Sequence, residues 1–202
     1  MNTVEREQQR AQKATLRRTV LRRREMQPNK AVVSGSICAT LERLPEYRQA
    51  RTICSYVGVG SEVLTWNLLR AAIAGGKQVI VPYVDGSRLL LFHLYDLAEL
   101  APAPFALLEP CPELRGQSDR RVQPAEVELF VVPGLAFDPT GARLGYGKRY
   151  YDNLLRSAPS ESPRIGLAFA CQMEPRLPVL IYDVSMHVIV TEKVVHRCHA
   201  VS

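Results

Sequence analysis

The chain has 202 residues, of which 47% are apolar and 23% charged, with a net charge of +6. That length suits one α/β domain with a proper core, and that balance excludes a disordered chain. The apolar runs also exclude a membrane-spanning helix, which needs roughly 20 residues: Val127 to Phe137, one of the longest, is broken by Glu128, Pro133 and Gly134.

The positive charge is concentrated at one end. Residues 1–30 hold nine Lys/Arg and three Glu, and the rest of the chain balances 17 bases against 17 acids. Such an arm reads as the solvated face of a helix, as a contact for small-molecule phosphates, or, least economically, as a nucleic-acid contact. Five scattered cysteines without a CxxC pair argue against a zinc site and a disulfide framework, and fit a reducing compartment. The polar, Arg-rich N-terminus lacks the apolar core of a secretory signal, so a cytoplasmic location is expected.

In chain order, Val4 to about Arg24 contains no Gly or Pro and predicts a basic helix, ended by Pro28, lying on the surface of the domain. Asn29 to Leu44 reads as a second helix with Val33, Ile37, Leu41 and Leu44 on one face, closed by Pro45. Arg51 to Val57 reads as a strand, and Glu62 to Ala74 as a helix with Trp66, Leu69 and Ile73 at its core and Gly75-Gly76 as its stop. Val79 to Val84 and Leu89 to His93 flank Asp85-Gly86-Ser87, a hairpin pattern. Residues 96–126 are Pro-rich and weakly periodic, so a long surface excursion with short helical pieces is expected. Glu128 to Pro133 is a near-continuous apolar run, the mark of a central strand buried on both faces. A glycine-rich loop from Gly134 to Gly147, a helix from about Lys148 to Ser157, and strands at Arg164 to Phe169 and His187 to Val190 complete the pattern. Strand and helix alternate, which predicts a three-layer α/β/α sandwich with a mixed, mostly parallel sheet, Rossmann-like. One domain over 1–202 is expected, with 1–27 as a basic N-terminal helix packing on it.

The segment Pro133 to Asp152, PGLAFDPTGARLGYGKRYYD, is the richest in chemistry. A buried strand feeds a glycine-rich loop that runs into a helix, so backbone N–H groups can face an anion. Gly145 and Gly147 permit close backbone approach, and Arg143, Lys148 and Arg149 add cations. Asp152, one turn after Lys148, is placed to hold Mg²⁺ against the same phosphates. The glycine spacing matches neither the P-loop nor the dinucleotide fingerprint.

PGLAFD, RLGYGK and YYD within twenty residues resemble the signature block of the 5-formyltetrahydrofolate cyclo-ligase family (5,10-methenyltetrahydrofolate synthetases). Lys13-Ala14-Thr15-Leu16-Arg17 is similar to that family's N-terminal KxxLR helix, Ser55-Tyr56-Val57 with Glu62-Val63 and Thr65 to its folate-lining segment, Glu109-Pro110 to its EP pair, and Val188 to Glu192 to its closing strand. The resemblance implies an ATP- and Mg²⁺-dependent enzyme that turns 5-formyltetrahydrofolate, with or without a polyglutamate tail, into 5,10-methenyltetrahydrofolate. The formyl oxygen is phosphorylated to an imidoyl phosphate, N10 attacks the activated carbon, and phosphate leaves.

On that resemblance Lys13, Arg17, Arg143, Gly145, Gly147, Lys148 and Tyr150 are the expected ATP contacts. Val57, Glu62, Tyr146, Arg149 and Tyr151 are the expected folate contacts, and Asp152 and Asp183 the metal carboxylates. Lys148, Arg143 and Tyr151 are the expected catalytic groups. Plainer readings stand beside these: the tyrosines as core aromatics, Glu62 as an acid at a helix start, Lys13 and Arg17 as solvated charges, and Asp183 as a turn cap. His187 reads as structural. Arg149 departs from the pattern, standing where the family usually has a third glycine. If that position needs a positive φ, arginine costs on the order of 1–3 kcal/mol there. The expected partner is the folate, the expected state a monomer, with no membrane and no nucleic acid. The competing readings are an impaired paralogue that binds without turnover, and a nucleic-acid module using the Arg-rich arm.

Overall fold

A computed structural model describes residues 3–198 of the chain. Helix α1 (Thr3–Glu25) leads to α2 (Lys30–Arg43) and the short α3 (Pro45–Gln49), then to strand β1 (Thr52–Ser55) and α4 (Trp66–Ala74). A hairpin of β2 (Gln78–Asp85) and β3 (Arg88–Leu94) follows. Residues 96–126 form 3₁₀ turns, a small antiparallel pair of β4 (Leu100–Pro102) and β5 (Leu108–Pro110), and the edge strand β6 (Arg121–Val122). Then come β7 (Leu129–Val132), the pair β8 (Ala136–Phe137) and β9 (Arg143–Leu144), α5 (Tyr150–Arg156), β10 (Arg164–Leu167), β11 (Val188–Val190) and β12 (Val195–Arg197).

The main sheet has eight strands in the order β12-β11-β10-β7-β1-β2-β3-β6. Its five central strands run parallel, and β12, β3 and β6 are antiparallel additions at the edges. The period of two along buried strands sorts the core into two sides. Leu129 and Val131 of β7, with Ile53 of β1 and Val79 of β2, pack against Ile37, Leu41, Leu68 and Leu69 of α2 and α4. Phe130 and Val132, with Cys54 and Ile80, face Leu154 and Leu155 of α5. A sheet covered on both faces explains why β7 is fully buried and has no polar alternation. The expected three-layer, mostly parallel sandwich is what the chain forms.

One local expectation is corrected and two gain detail. Pro45 does end α2, because Leu44 before it is extended, but the same proline opens α3 at a first-turn position where its missing N–H costs nothing. The helix expected from Glu62 begins only at Trp66. The buried Thr65 hydroxyl donates to the Tyr56 carbonyl at 2.7 Å and accepts from Gly58 N at 2.9 Å, which holds 56–65 as a closed loop instead. Helix α1 does lie over the domain, yet its inner stripe is not apolar. Lys13, Val20 and Arg24 are buried at helical spacing, while Ala11 and Ala14 face outwards. Val20 packs among Ala136, Ala142, Leu144 and Leu177, which docks α1 on the β8–β9 hairpin.

Candidate active site

In an open parallel sheet, ligands bind beyond the carboxyl ends of the strands where the strand order reverses. Here that point lies between β1, which continues to β2 on one side, and β7, which continues to β10 on the other. A cavity of about 1100 Å³ opens there. Its floor is the strand ends: Tyr56 and Val57 after β1, Pro82 and Val84 of β2, and Pro133-Gly134 after β7. Lys13, Arg17 and Arg24 of α1 form one wall, and Leu107, Leu108 and Glu109 of the excursion another. Gly145 to Asp152 and the segment Leu180, Tyr182, Asp183 complete it. Every residue expected to bind a ligand or metal lines this one cavity: Lys13, Arg17, Val57, Glu62, Arg143, Gly145, Tyr146, Gly147, Lys148, Arg149, Tyr150, Tyr151, Asp152 and Asp183.

The charges are arranged as crossed pairs. Lys13 Nζ lies 2.5 Å from Asp183 Oδ2, joining the first helix to the last loop. Arg143 Nη2 donates to Asp152 Oδ1 at 2.9 Å, and the Arg143 Nε–H is buried with no partner among the described residues. An orphaned buried donor on a cation is a natural seat for an anion. Arg17 Nε donates to the Gly145 carbonyl at 2.9 Å. Gly147, at φ 97°, runs so close beneath this guanidinium that a Cβ would stand 3.3 Å from Arg17 Nη2. The positive φ is what favours glycine here. Lys148 is exposed at the cavity and makes no hydrogen bond among the described residues. Helix α5 is only seven residues long, so these cations, rather than its dipole, supply most of the positive field.

The carboxylates fit a magnesium ion held together with phosphates. Asp152 uses Oδ1 for both Arg143 and the Val184 N–H, and Asp183 uses Oδ2 for both Lys13 and the Leu180 N–H. Each therefore keeps its second oxygen for a ligand. Among the described residues no three His, Cys, Asp or Glu side chains converge. Magnesium suits such a sparse set, because it keeps water and takes its remaining oxygens from phosphates.

Sequence reasoning passed over Arg24. It is 2% exposed and donates to Ser61 Oγ at 3.0 Å, the Gly134 carbonyl at 3.2 Å and the Tyr146 hydroxyl at 2.6 Å. It thus ties α1 to the loop bearing Glu62 and to both ends of the glycine segment. The signal was the spacing Lys13, Arg17, Val20, Arg24, visible only if charged residues are allowed on a helix's inner face. Burial raises the Glu62 carboxyl above its ordinary range, with the nearby Arg24 charge and the Val59 N–H opposing. Burial likewise holds the Tyr151 hydroxyl well above the usual phenol range, so at neutral pH Tyr151 is a proton donor rather than a base.

Arg149 does adopt the left-handed conformation, at φ 58°, so the strain expected of a non-glycine, on the order of 1–3 kcal/mol, applies. Its guanidinium stacks 3.7 Å from the centroid of Tyr182. The Tyr150 hydroxyl donates to Gly86 in the β2–β3 turn at 3.3 Å. His187 stands at the opposite end of the strands, where Nδ1 accepts from the Arg164 N–H at 3.1 Å. None of the described helices is long and apolar enough to cross a membrane.

Fold and site together define an α/β protein with a cation-walled, partly apolar ligand cavity at the switch point of a parallel sheet. The 5-formyltetrahydrofolate cyclo-ligase family model matches residues 9–192. A probable 5-formyltetrahydrofolate cyclo-ligase of Schizosaccharomyces pombe is 31% identical, over 81% of this chain and 86% of its own. The 5-formyltetrahydrofolate cyclo-ligase of Mycolicibacterium smegmatis is also 31% identical, over 90% of this chain and 94% of its own. The NMR structure of Aquifex aeolicus 5,10-methenyltetrahydrofolate synthetase superimposes with a TM-score of 0.79 at 33% identity, covering 92% of each chain. The chain belongs to the 5-formyltetrahydrofolate cyclo-ligase family.

Proposed function

We propose that the chain uses Mg·ATP to convert 5-formyltetrahydrofolate, with or without a polyglutamate tail, into 5,10-methenyltetrahydrofolate, ADP and phosphate. One observation carries this reading: four cations (Lys13, Arg17, Arg143, Lys148) and two carboxylates, each with a free oxygen, share a cavity with an apolar, tyrosine-lined floor. A nucleotide phosphate chain and a flat heterocycle are the two chemistries those walls suit.

The formyl oxygen on N5 attacks the γ-phosphorus of ATP, and ADP departs. N10 then attacks the activated formyl carbon of the imidoyl phosphate. The C–O bond to phosphate then breaks, and the proton that N10 gives up leaves with the phosphate as the methenyl bridge forms. Phosphoryl transfer of this kind needs positioning and charge neutralisation more than a protein nucleophile. Lys13, Arg17, Arg143 and Lys148 hold the phosphates, with the backbone of Gly145 and Gly147 close beneath. Asp152 and Asp183 would hold Mg²⁺, which would supply positive charge to neutralise the phosphates. Glu62 accepts hydrogen bonds from pterin nitrogens, Tyr56 and Val57 pack beneath the ring, and Tyr151 donates a hydrogen bond. The chain is taken to act as a monomer in the cytoplasm.

The test is the appearance of methenyl-folate absorbance with 5-formyltetrahydrofolate, ATP and Mg²⁺. Turnover is expected, and Asp152→Ala should lower kcat/KM by about a hundredfold or more. Arg149 favours a second reading, a paralogue that binds without turnover. Its signature is a silent native chain revived by Arg149→Gly, and silence in both overturns the enzyme reading.

A further inference from the structure

Residues 180–184 reach the cavity without a strand or helix of their own, and groups on or next to α5 hold them. Arg149, the residue capping α5, stacks on the Tyr182 ring at 3.7 Å. Arg156 Nη2 donates to the Tyr182 carbonyl at 2.5 Å, and Asp152 Oδ1 accepts from the Val184 N–H at 3.2 Å. Asp183 stands between these anchored residues, with its carboxylate turned to Lys13. Arginine occupies position 149 although φ 58° favours glycine. A strained residue persists where its surroundings over-determine it, and the contact that glycine could not make here is the one to Tyr182.

We propose that Arg149 is a positioning residue: by stacking on Tyr182 it clamps the 180–184 loop and fixes the Asp183 carboxylate for a Mg²⁺-bound nucleotide. The inference rests on the nucleotide reading above. It differs from a direct contact between Arg149 and a phosphate, because the effect passes through Tyr182 and Asp183 and therefore depends on the metal.

The experiment is calorimetric binding of ADP to the full chain, once with Mg²⁺ and once with EDTA. Wild type, Arg149→Gly, Tyr182→Ala, Tyr182→Phe and the Arg149→Gly/Tyr182→Ala double variant are compared, with a melting curve for each. Arg149→Gly and Tyr182→Ala should each weaken Mg·ADP about fivefold, the upper end for an exposed cation–π contact, and leave metal-free ADP unchanged. The double variant should lose no more than either single one. Tyr182→Phe, which keeps the ring, should match wild type. Arg149→Gly should melt no lower than wild type, since glycine accepts this backbone freely, so its lost affinity is not lost structure. An equal loss with and without metal in Arg149→Gly, with Tyr182→Ala unaffected, makes Arg149 a phosphate ligand and overturns the clamp. Unchanged Mg·ADP affinity in both single variants also overturns it, leaving the nucleotide reading intact. Failure of wild type itself to bind Mg·ADP removes the nucleotide reading and the clamp with it.

Discussion

Glu62 shows what burying a carboxyl in the proposed folate site costs. Its carboxyl is raised from about 4.5 chiefly by burial, against the opposing pull of Arg24 and the Val59 N–H. The sign follows directly. An acid whose folded pKa exceeds its unfolded value holds its proton more tightly when folded. Its contribution is therefore favourable at low pH and is lost as pH rises from the unfolded value near 4.5 through the raised folded value. At neutral pH, above the unfolded value, the buried Glu62 carboxyl therefore costs stability. Arg24 needs no rescue when that charge is removed, since it keeps its bonds to Ser61, Gly134 and Tyr146. Glu62→Gln should accordingly melt higher than wild type at pH 7.5, with the gap closing towards pH 4, while its affinity for the folate falls. A variant less stable than wild type at pH 7.5 would mean that pairing with Arg24 outweighs burial.

Elements meet here through small residues. The Phe137 ring of β8 sits between Gly134 and Gly166, where an added Cβ would stand 2.5 Å and 2.6 Å from it. Gly166→Ala should thus cost about 1–3 kcal/mol through overpacking in the centre of β10, read as a lower urea midpoint at unchanged slope. No loss would show that the ring has room to move. Such contacts explain what was legible in the sequence. The buried run of β7, the Asp85-Gly86-Ser87 hairpin and the basic α1 announced themselves by periodicity or turn chemistry. The strands β4, β5, β8, β9 and β12 have two or three residues each, too few to show a period. The late start of α4 depends on Thr65 bonding across its own loop, a tertiary contact that no local pattern carries. The cavity-lining residues were legible because most of them cluster in one block and two short motifs, with Asp183 standing alone. Arg24 and Tyr182 were not, being set by helix rotation and by a loop that only the fold brings alongside α5.

Across the whole molecule the cavity joins the two ends of the chain: the Lys13–Asp183 pair spans 170 residues. That closure should make the fold independent of metal. Asp183 and Asp152 already have Lys13 and Arg143 as counter-charges, so removing Mg²⁺ leaves no unpaired buried carboxylate to destabilise the folded state. EDTA should therefore change Tm by less than about 1 °C. A nucleotide bound as proposed, across α1, the glycine loop and the 180–184 loop, would stabilise only the folded chain. At a hundred times its Kd it adds about 2.7 kcal/mol, and at roughly 2–4 °C per kcal/mol for a chain of this size Mg·ATP should raise Tm by about 5–10 °C. ATP with EDTA should raise it less, because the phosphates then meet the carboxylates without an ion between them. A fall of several degrees on EDTA alone would reveal a structural metal in the resting fold. An unchanged Tm with Mg·ATP would mean that the crossed cation–carboxylate pairs only hold the two ends of the chain together and never open to a nucleotide.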